Sequence, residues 1–290
     1  MFVCLALFVD AAAWAQEAPN PDFADERYGP HERNVLDLWM AKSDKPTPLV
    51  IYIHGGGFYS GSKEGAKHWL TRQFLKRGIS VAAINYRLTN VAPYPAPMLD
   101  GARAVQYLRF KAKEFNLDPD RFAATGGSAG AGISLWLAFH DDLADQKAED
   151  PVLRQSTRLR CVLGTRAQCS YDPRWIKKNI GGKAYQESAL RSLFRVTFDE
   201  LESDKAAKRY EDASPINHLT KDDPPVMLIY DVKDEPSDRP GAGIHSQKFG
   251  EILKAEMEKL GLSCELFVYG QRATLEDQVN FFVKHLQLKK

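Results

Sequence analysis

Gly126-Gly127-Ser128-Ala129-Gly130 sets one hydroxyl among glycines, after the run Arg121-Phe122-Ala123-Ala124-Thr125 and before a helical stretch that ends near His140. A strand, a turn too tight for most side chains and a helix start would hold the Ser128 hydroxyl clear of a sheet. The helix start adds N–H groups without intrahelical partners, aimed at any anion forming beside them. A second glycine cluster, His54-Gly55-Gly56-Gly57, follows the apolar run Leu49-Val50-Ile51-Tyr52-Ile53. Residues without side chains let backbone N–H groups approach an acyl oxygen. Two such donors, with the N–H of Ala129, would form an oxyanion hole in which each donor is worth ~3–4 kcal/mol. The chemistry implied is nucleophilic attack by Ser128 on an acyl carbon.

The elements that must position these groups alternate along the chain. Short apolar runs at 49–53, 79–86, 121–125, 159–163, 226–230 and 265–269 predict strands. Helical spacing fills 97–115, the stretch after Ser128, 244–260 and 275–288. Such alternation predicts an α/β fold with a mostly parallel sheet covered by helices on both faces. Asn34-Val35-Leu36-Asp37-Leu38-Trp39 alternates and is expected to begin the sheet as an antiparallel edge strand. From Asp172 to about Pro225 the chain is charged, helical in flavour and without a strand pattern. It reads as a lid inserted at the sheet's carboxyl edge, whose Trp175, Leu193, Phe194 and Phe198 either line an acyl pocket or pack the lid down.

The stretches YGPHERNVLDLW, VIYIHGGGF, INYRL, GGSAG and ASPINHLTKDDPPVMLIYDVKDE resemble the carboxylesterase and hormone-sensitive-lipase-like group of α/β-hydrolases, with feruloyl-esterase-like members also similar. The resemblance runs from about Tyr28 to Leu288. It implies the α/β-hydrolase fold as one domain over 16–290, with a small helical lid at about 172–225. It also implies Ser128 as nucleophile, Gly56, Gly57 and Ala129 as oxyanion donors, and Asp234 as the acid of a triad. Asp231 competes with Asp234 for that role, and His54 is implied to be structural. Residue 127 is Gly where many relatives carry an acidic or polar residue.

One departure matters more. Relatives place the base after the last strand, where this chain reads Tyr269-Gly270-Gln271-Arg272-Ala273-Thr274-Leu275. That loop holds no histidine, and neither Gln nor Arg takes a proton from serine at neutral pH. Of the seven histidines, His31 and His68 look peripheral, His140 ends the helix after Ser128, and His218 falls at the sheet's opposite edge. His285 lies inside the final helix. His245 is different. The turn formers between Asp234 and His245 can fold the chain back over the sheet's carboxyl edge, where open α/β sheets bind ligands. The start of the next helix would keep its imidazole neutral, and Asp234 or Asp231 would fix its tautomer. The order Ser–Asp–His then survives with a displaced base. The competing reading makes His245 a helix-start residue without a catalytic task.

Composition narrows the function classes. With 39 Lys+Arg against 38 Asp+Glu the chain has no electrostatic footprint for nucleic acid or an anionic membrane. No apolar run reaches the ~18–20 residues of a membrane span. Phe2–Val9 followed by Ala13-Trp14-Ala15 reads as a signal peptide over residues 1–15, which implies export to the periplasm or outside the cell; without it the chain would be cytoplasmic. Cys161, Cys169 and Cys264 are expected to be buried and unpaired. With no phosphate loop, dinucleotide fingerprint or metal-ligand spacing, no cofactor and no metal are implied. The expectation is a serine ester hydrolase acting on a small-molecule ester. The alternatives are a binding protein on a catalytically impaired hydrolase scaffold, or an acyl transferase or amidase using the same site.

Overall fold

The computed structural model describes residues 19–66, 68–234 and 238–287. In chain order the strands are β1 (Phe23–Arg27), β2 (Val35–Trp39), β3 (Thr47–Ile53), β4 (Ser80–Ile84), β5 (Leu117–Gly127), β6 (Val162–Thr165), β7 (Val226–Ile229) and β8 (Cys264–Phe267). The helices are α1 (His68–Lys76), α2 (Ala96–Phe110), α3 (Ala129–Phe139), α4 (Pro173–Asn179), α5 (Ser188–Phe194), α6 (Ala207–Ala213), α7 (Lys248–Lys259) and α8 (Leu275–His285). The strands form one sheet in the order β1-β2-β4-β3-β5-β6-β7-β8. β2 runs antiparallel to both its neighbours, and the pairs from β4 through β8 are parallel.

Side chains at a period of two divide the interior into two layers. In β3, Leu49, Ile51 and Ile53 join one apolar cluster and Val50 the other. β5 repeats this with Phe122 and Ala124 opposed to Ala123, and β7 with Val226 and Leu228 opposed to Met227 and Ile229. Each of these large side chains contributes ~1.5–3 kcal/mol by leaving water. The first layer is closed by α2, α3, α7 and the segment between β6 and β7; the second by α1 and α8. Burial on both faces leaves the carboxyl edge of the parallel strands as the place where loops can build a site.

One expectation is corrected. The strand at 34–39 is antiparallel, as expected, but interior, because β1 takes the edge beyond it. β1 (FADER) is charged, and its register slips between Phe23 and Glu26, so it carries no period-two signal. α1 likewise falls in a stretch the pattern did not mark. The segment between β6 and β7 is helical and packs inward, with Ile176, Leu190, Leu193 and Phe194 buried. Tyr94 N donates to Leu193 O at 2.8 Å and Trp136 Nε1 to Asp212 O at 2.9 Å, tying that segment to the approach to α2 and to α3. Phe198 stays 48% exposed. Cys161, Cys169 and Cys264 are free and buried. Residues 1–15, read from sequence as a signal peptide, and Cys4 within them lie outside the described residues. Among the described residues no helix is long and apolar enough to cross a membrane.

Candidate active site

Ser128 sits between the end of β5 and the start of α3 with φ 52° and ψ −118°. A non-glycine residue holds so strained a backbone only when its surroundings over-determine it, at a cost of ~1–3 kcal/mol. Here Ser128 N donates to Thr165 O at 2.9 Å, and Gly132 N donates to Ser128 O at 2.9 Å. Glycine is required on either side. A Cβ on Gly126 would lie 2.5 Å from Ile53 O, and one on Gly130 would lie 2.0 Å from the same oxygen and 2.7 Å from His54 O. Those are backbone atoms of β3 and its exit, which cannot yield. Gly130→Ala is therefore expected to lose about 3 kcal/mol of unfolding free energy in urea titrations and to disturb the glycine loop that begins at His54.

That loop packs directly on the turn: a Cβ on Gly55 would meet Gly127 O at 2.6 Å and Ser128 Cβ at 3.7 Å. Gly56 O accepts from Tyr59 N at 3.1 Å and Ser60 N at 3.0 Å, which fixes the Gly56–Gly57 peptide. In a trans peptide the Gly57 N–H points opposite that carbonyl. Gly56 (φ 110°) and Gly57 (φ 60°) hold backbone angles that side chains disfavour. The Ala129 N–H opens α3 and has no intrahelical acceptor. His54 supports the loop from beneath: it is buried, stacked on Tyr86 with ring centroids 4.2 Å apart, and its Nδ1 lies 2.8 Å from Gly55 O. Burial pushes its pKa down to about 4, so the ring is neutral at neutral pH.

Ser128 Oγ and His245 Nε2 are 2.8 Å apart. His245 arrives on the connection from β7 to α7, through turns closed by Ile244 N to Gly241 O (3.0 Å) and Ser246 N to Gly243 O (2.9 Å). Gly241 (φ 80°) and Gly243 (φ 88°) supply the left-handed angles those turns need. Two anchors hold the connection in place. The buried Gln168 amide donates to Ile244 O at 2.9 Å, and Gly241 N donates to Lys183 O at 2.9 Å. The His245 pKa lies below its ordinary value, because of burial first and then the Arg166 guanidinium; Glu187 and Asp231 oppose the shift. α7 starts three residues on, at Lys248.

The two acids part company. Asp234 Oδ2 accepts from Ser246 Oγ at 2.5 Å, so among the described residues its hydrogen bond goes to the residue after His245, not to the ring. Asp231 Oδ1 accepts from Arg166 Nε at 2.6 Å, and Asp231 lines the same cavity as Ser128 and His245. That cavity measures about 340 Å³ and is completed by Tyr52, Leu70, Thr165 and Gln278. Arg166, at φ 52° just beyond β6, and Gln278, on α8, were not foreseen. Nothing in their local sequence marks them, since each reaches the cavity only through the sheet order.

The BD-FAE family model matches residues 36–238. The chain belongs to the BD-FAE family. The BD-FAE match takes in Gly56, Gly57, Ser128, Ala129, Asp231 and Asp234 and ends before His245. Over 222 residues the chain is 26% identical to esterase LipQ of Mycobacterium tuberculosis, covering 73% of this chain and 48% of LipQ. It spans about half the length of the first curated relatives it matches. The acetyl ester-xyloside bifunctional hydrolase of Caldicellulosiruptor lactoaceticus superposes with TM-score 0.66 at 23% identity, over 87% of this chain and 84% of that one. Thermogutta terrifontis esterase 2, in a form phosphonylated by sarin, superposes with TM-score 0.66 at 18% identity, over 93% of each chain. This BD-FAE member thus has the α/β-hydrolase fold, with its serine turn and glycine loop at the carboxyl edge of the sheet.

Proposed function

We propose that this chain hydrolyses small carboxylic esters through an acyl-enzyme on Ser128, with His245 as general base and Ala129, Gly56 and Gly57 as oxyanion donors. The observation that carries this reading is the 2.8 Å separation of Ser128 Oγ from His245 Nε2. A serine hydroxyl is a weak nucleophile until a base within ~2.6–3.2 Å takes its proton. In the first half-reaction Ser128 Oγ attacks the ester carbon, His245 Nε2 accepts the proton, and the carbonyl oxygen becomes an oxyanion held by the backbone N–H groups. Collapse expels the alcohol, which takes the proton from His245. Water repeats the sequence on the acyl-Ser128 ester and releases the acid. Asp231 is the acid assigned as the ring's electrostatic partner, because it lines the cavity with Ser128 and His245 and its charge raises the ring's pKa. Asp234 is assigned to holding Ser246 and with it the backbone beside His245.

The esterase names of the relatives support this reading, and so does the covalent capture of the Thermogutta esterase by an organophosphorus reagent. A cavity near 340 Å³ lies at the small end of the ~300–1,000 Å³ usual for ligand sites and favours a short acyl chain. The test uses diethyl p-nitrophenyl phosphate as trap and p-nitrophenyl acetate as substrate. One equivalent of phosphoryl label on the Ser128 peptide is expected, with ester turnover blocked in proportion. In unlabelled enzyme kcat/KM should fall toward acid with a midpoint below pH 6.5, the ordinary histidine value, since the ring must be neutral to act. Saturable ester binding without turnover or label would instead make this a binding protein on a hydrolase scaffold.

A further inference from the structure

His140, Asp212 and His218 converge at the end of α3 remote from Ser128. One donor atom from each lies within 4.8 Å of the others. His140 follows the last turn of α3, Asp212 lies in the last turn of α6, and His218 closes the 3-10 turn Pro215–His218. We propose that these three residues bind a divalent transition metal, Zn2+ in the first instance, through His140 Nε2, Asp212 Oδ1 and a ring nitrogen of His218.

The hydrogen bonds around the cluster carry the argument. His140 Nδ1 lies 3.0 Å from Asp141 O, and a carbonyl can only accept, so Nδ1 holds the proton and, in a neutral ring, Nε2 keeps its lone pair. In that neutral form Nε2 and Asp212 Oδ1 stand 3.8 Å apart as two acceptors, a pair that either a proton on the ring or a cation between them would satisfy. Asp212 Oδ2 is already occupied by the Tyr94 hydroxyl, which fixes the carboxylate and leaves Oδ1 available. His218 Nε2 lies 2.7 Å from Asp212 O and donates to it, which leaves the other nitrogen of a neutral ring free to ligate. Each imidazole thus donates one N–H to a backbone carbonyl, the outer arrangement that sets tautomer and orientation in metal-binding histidines. Tetrahedral Zn2+ at ~2.0–2.1 Å from its ligands sets them ~3.3 Å apart, so the His140–Asp212 pair at 3.8 Å closes by about half an ångström and a pair at the 4.8 Å limit by about 1.5 Å, within the reach of side-chain rotation. The Asp212 side chain is 53% exposed, leaving room for water to complete the shell.

The Trp136 ring covers the inner side, 4.1 Å from the His140 ring, and its Nε1 donates to Asp212 O at 2.9 Å. The ion would join α3, whose first residue follows Ser128, to the helical segment between β6 and β7. Eleven residues of α3, ~16 Å at 1.5 Å per residue, separate it from the serine, so its role is to fasten these parts together. The sequence reading expected no metal because the histidines come from separate segments with no local ligand spacing.

The experiment uses the full chain, free of any affinity tag and stripped with chelator. Zn2+ is titrated calorimetrically, and Co2+ by its visible ligand-field absorption, against wild type, His140→Ala, His218→Ala, Asp212→Asn and the distant His31→Ala. One equivalent is expected in wild type and His31→Ala, with a Tm rise of about 5 °C at a hundredfold excess over Kd. Each of the other three variants should bind at least about tenfold more weakly. Asp212→Asn keeps an acceptor for Tyr94, so its loss of affinity separates ligation from misfolding. Absence of stoichiometric binding in wild type, or equal binding in all variants, would overturn the proposal and leave an aromatic stack on Trp136. None of these readouts requires ester turnover, so failure here and failure of the hydrolase reading are distinguishable.

Discussion

Replacing His245 with alanine is expected to lower kcat/KM for p-nitrophenyl acetate by about 10⁵-fold, a loss near 7 kcal/mol of transition-state stabilisation. The reason is geometric. The Nε2 that lies 2.8 Å from Ser128 Oγ is the acceptor the sequence could not find after the last strand. Gln271 and Arg272 in that loop cannot replace it, because one is neutral without basicity and the other permanently charged. Ser128→Ala should cost as much, and the double variant hardly more, since nucleophile and base act as one unit and their losses do not add. The residual activity should be that of the backbone donors alone. If His245→Ala retained full turnover while Ser128→Ala lost it, the base would lie elsewhere. Steady-state kinetics on the three variants, with folding checked by circular dichroism, decide it.

What could be read ahead of the structure follows the range of each interaction. Ser128, Ala129 and the glycines of both loops were legible because strand, tight turn and helix start are encoded within a few residues. The burial of β3 and β7 on both faces was legible too, because each is a short continuous apolar run. The distance from Ser128 to His245 was not. Turn formers between Asp234 and His245 showed that the chain could fold back, but the anchors that decide where it lands are Gln168 to Ile244 O and Gly241 to Lys183 O. Both join the connection to parts of the chain far away in sequence. β1 was missed because a charged, slipped edge strand has no periodicity to read. The convergence of His140 with His218 belongs to the same class as the His245 contact, a product of how the segment between β6 and β7 settles on α3.

Motif position and geometry also give different answers for the acid, and the second large effect distinguishes them. Asp231→Asn is expected to lower kcat by about 10²-fold, below the ~10⁴ of a fully buried triad acid, because Asp231 is exposed and its charge is screened by water. It also removes an anion that raises the His245 pKa, so the acid limb of the pH profile should move to lower pH. Arg166→Ala removes the cation that lowers that pKa, and the limb should move up. Asp234→Asn should leave the limb in place and cost about tenfold or less, since its carboxylate holds the Ser246 hydroxyl and acts on the ring only through the backbone. Ser246→Ala should then reproduce the Asp234→Asn phenotype, with the two losses failing to add because they break one contact. Should Asp234→Asn instead lose a hundredfold and shift the limb while Asp231→Asn keeps wild-type rates, the motif-matched aspartate is the ring's partner. The Asp231–Arg166 pair would then be a surface ion pair at the rim of the cavity, worth no more than ~1 kcal/mol.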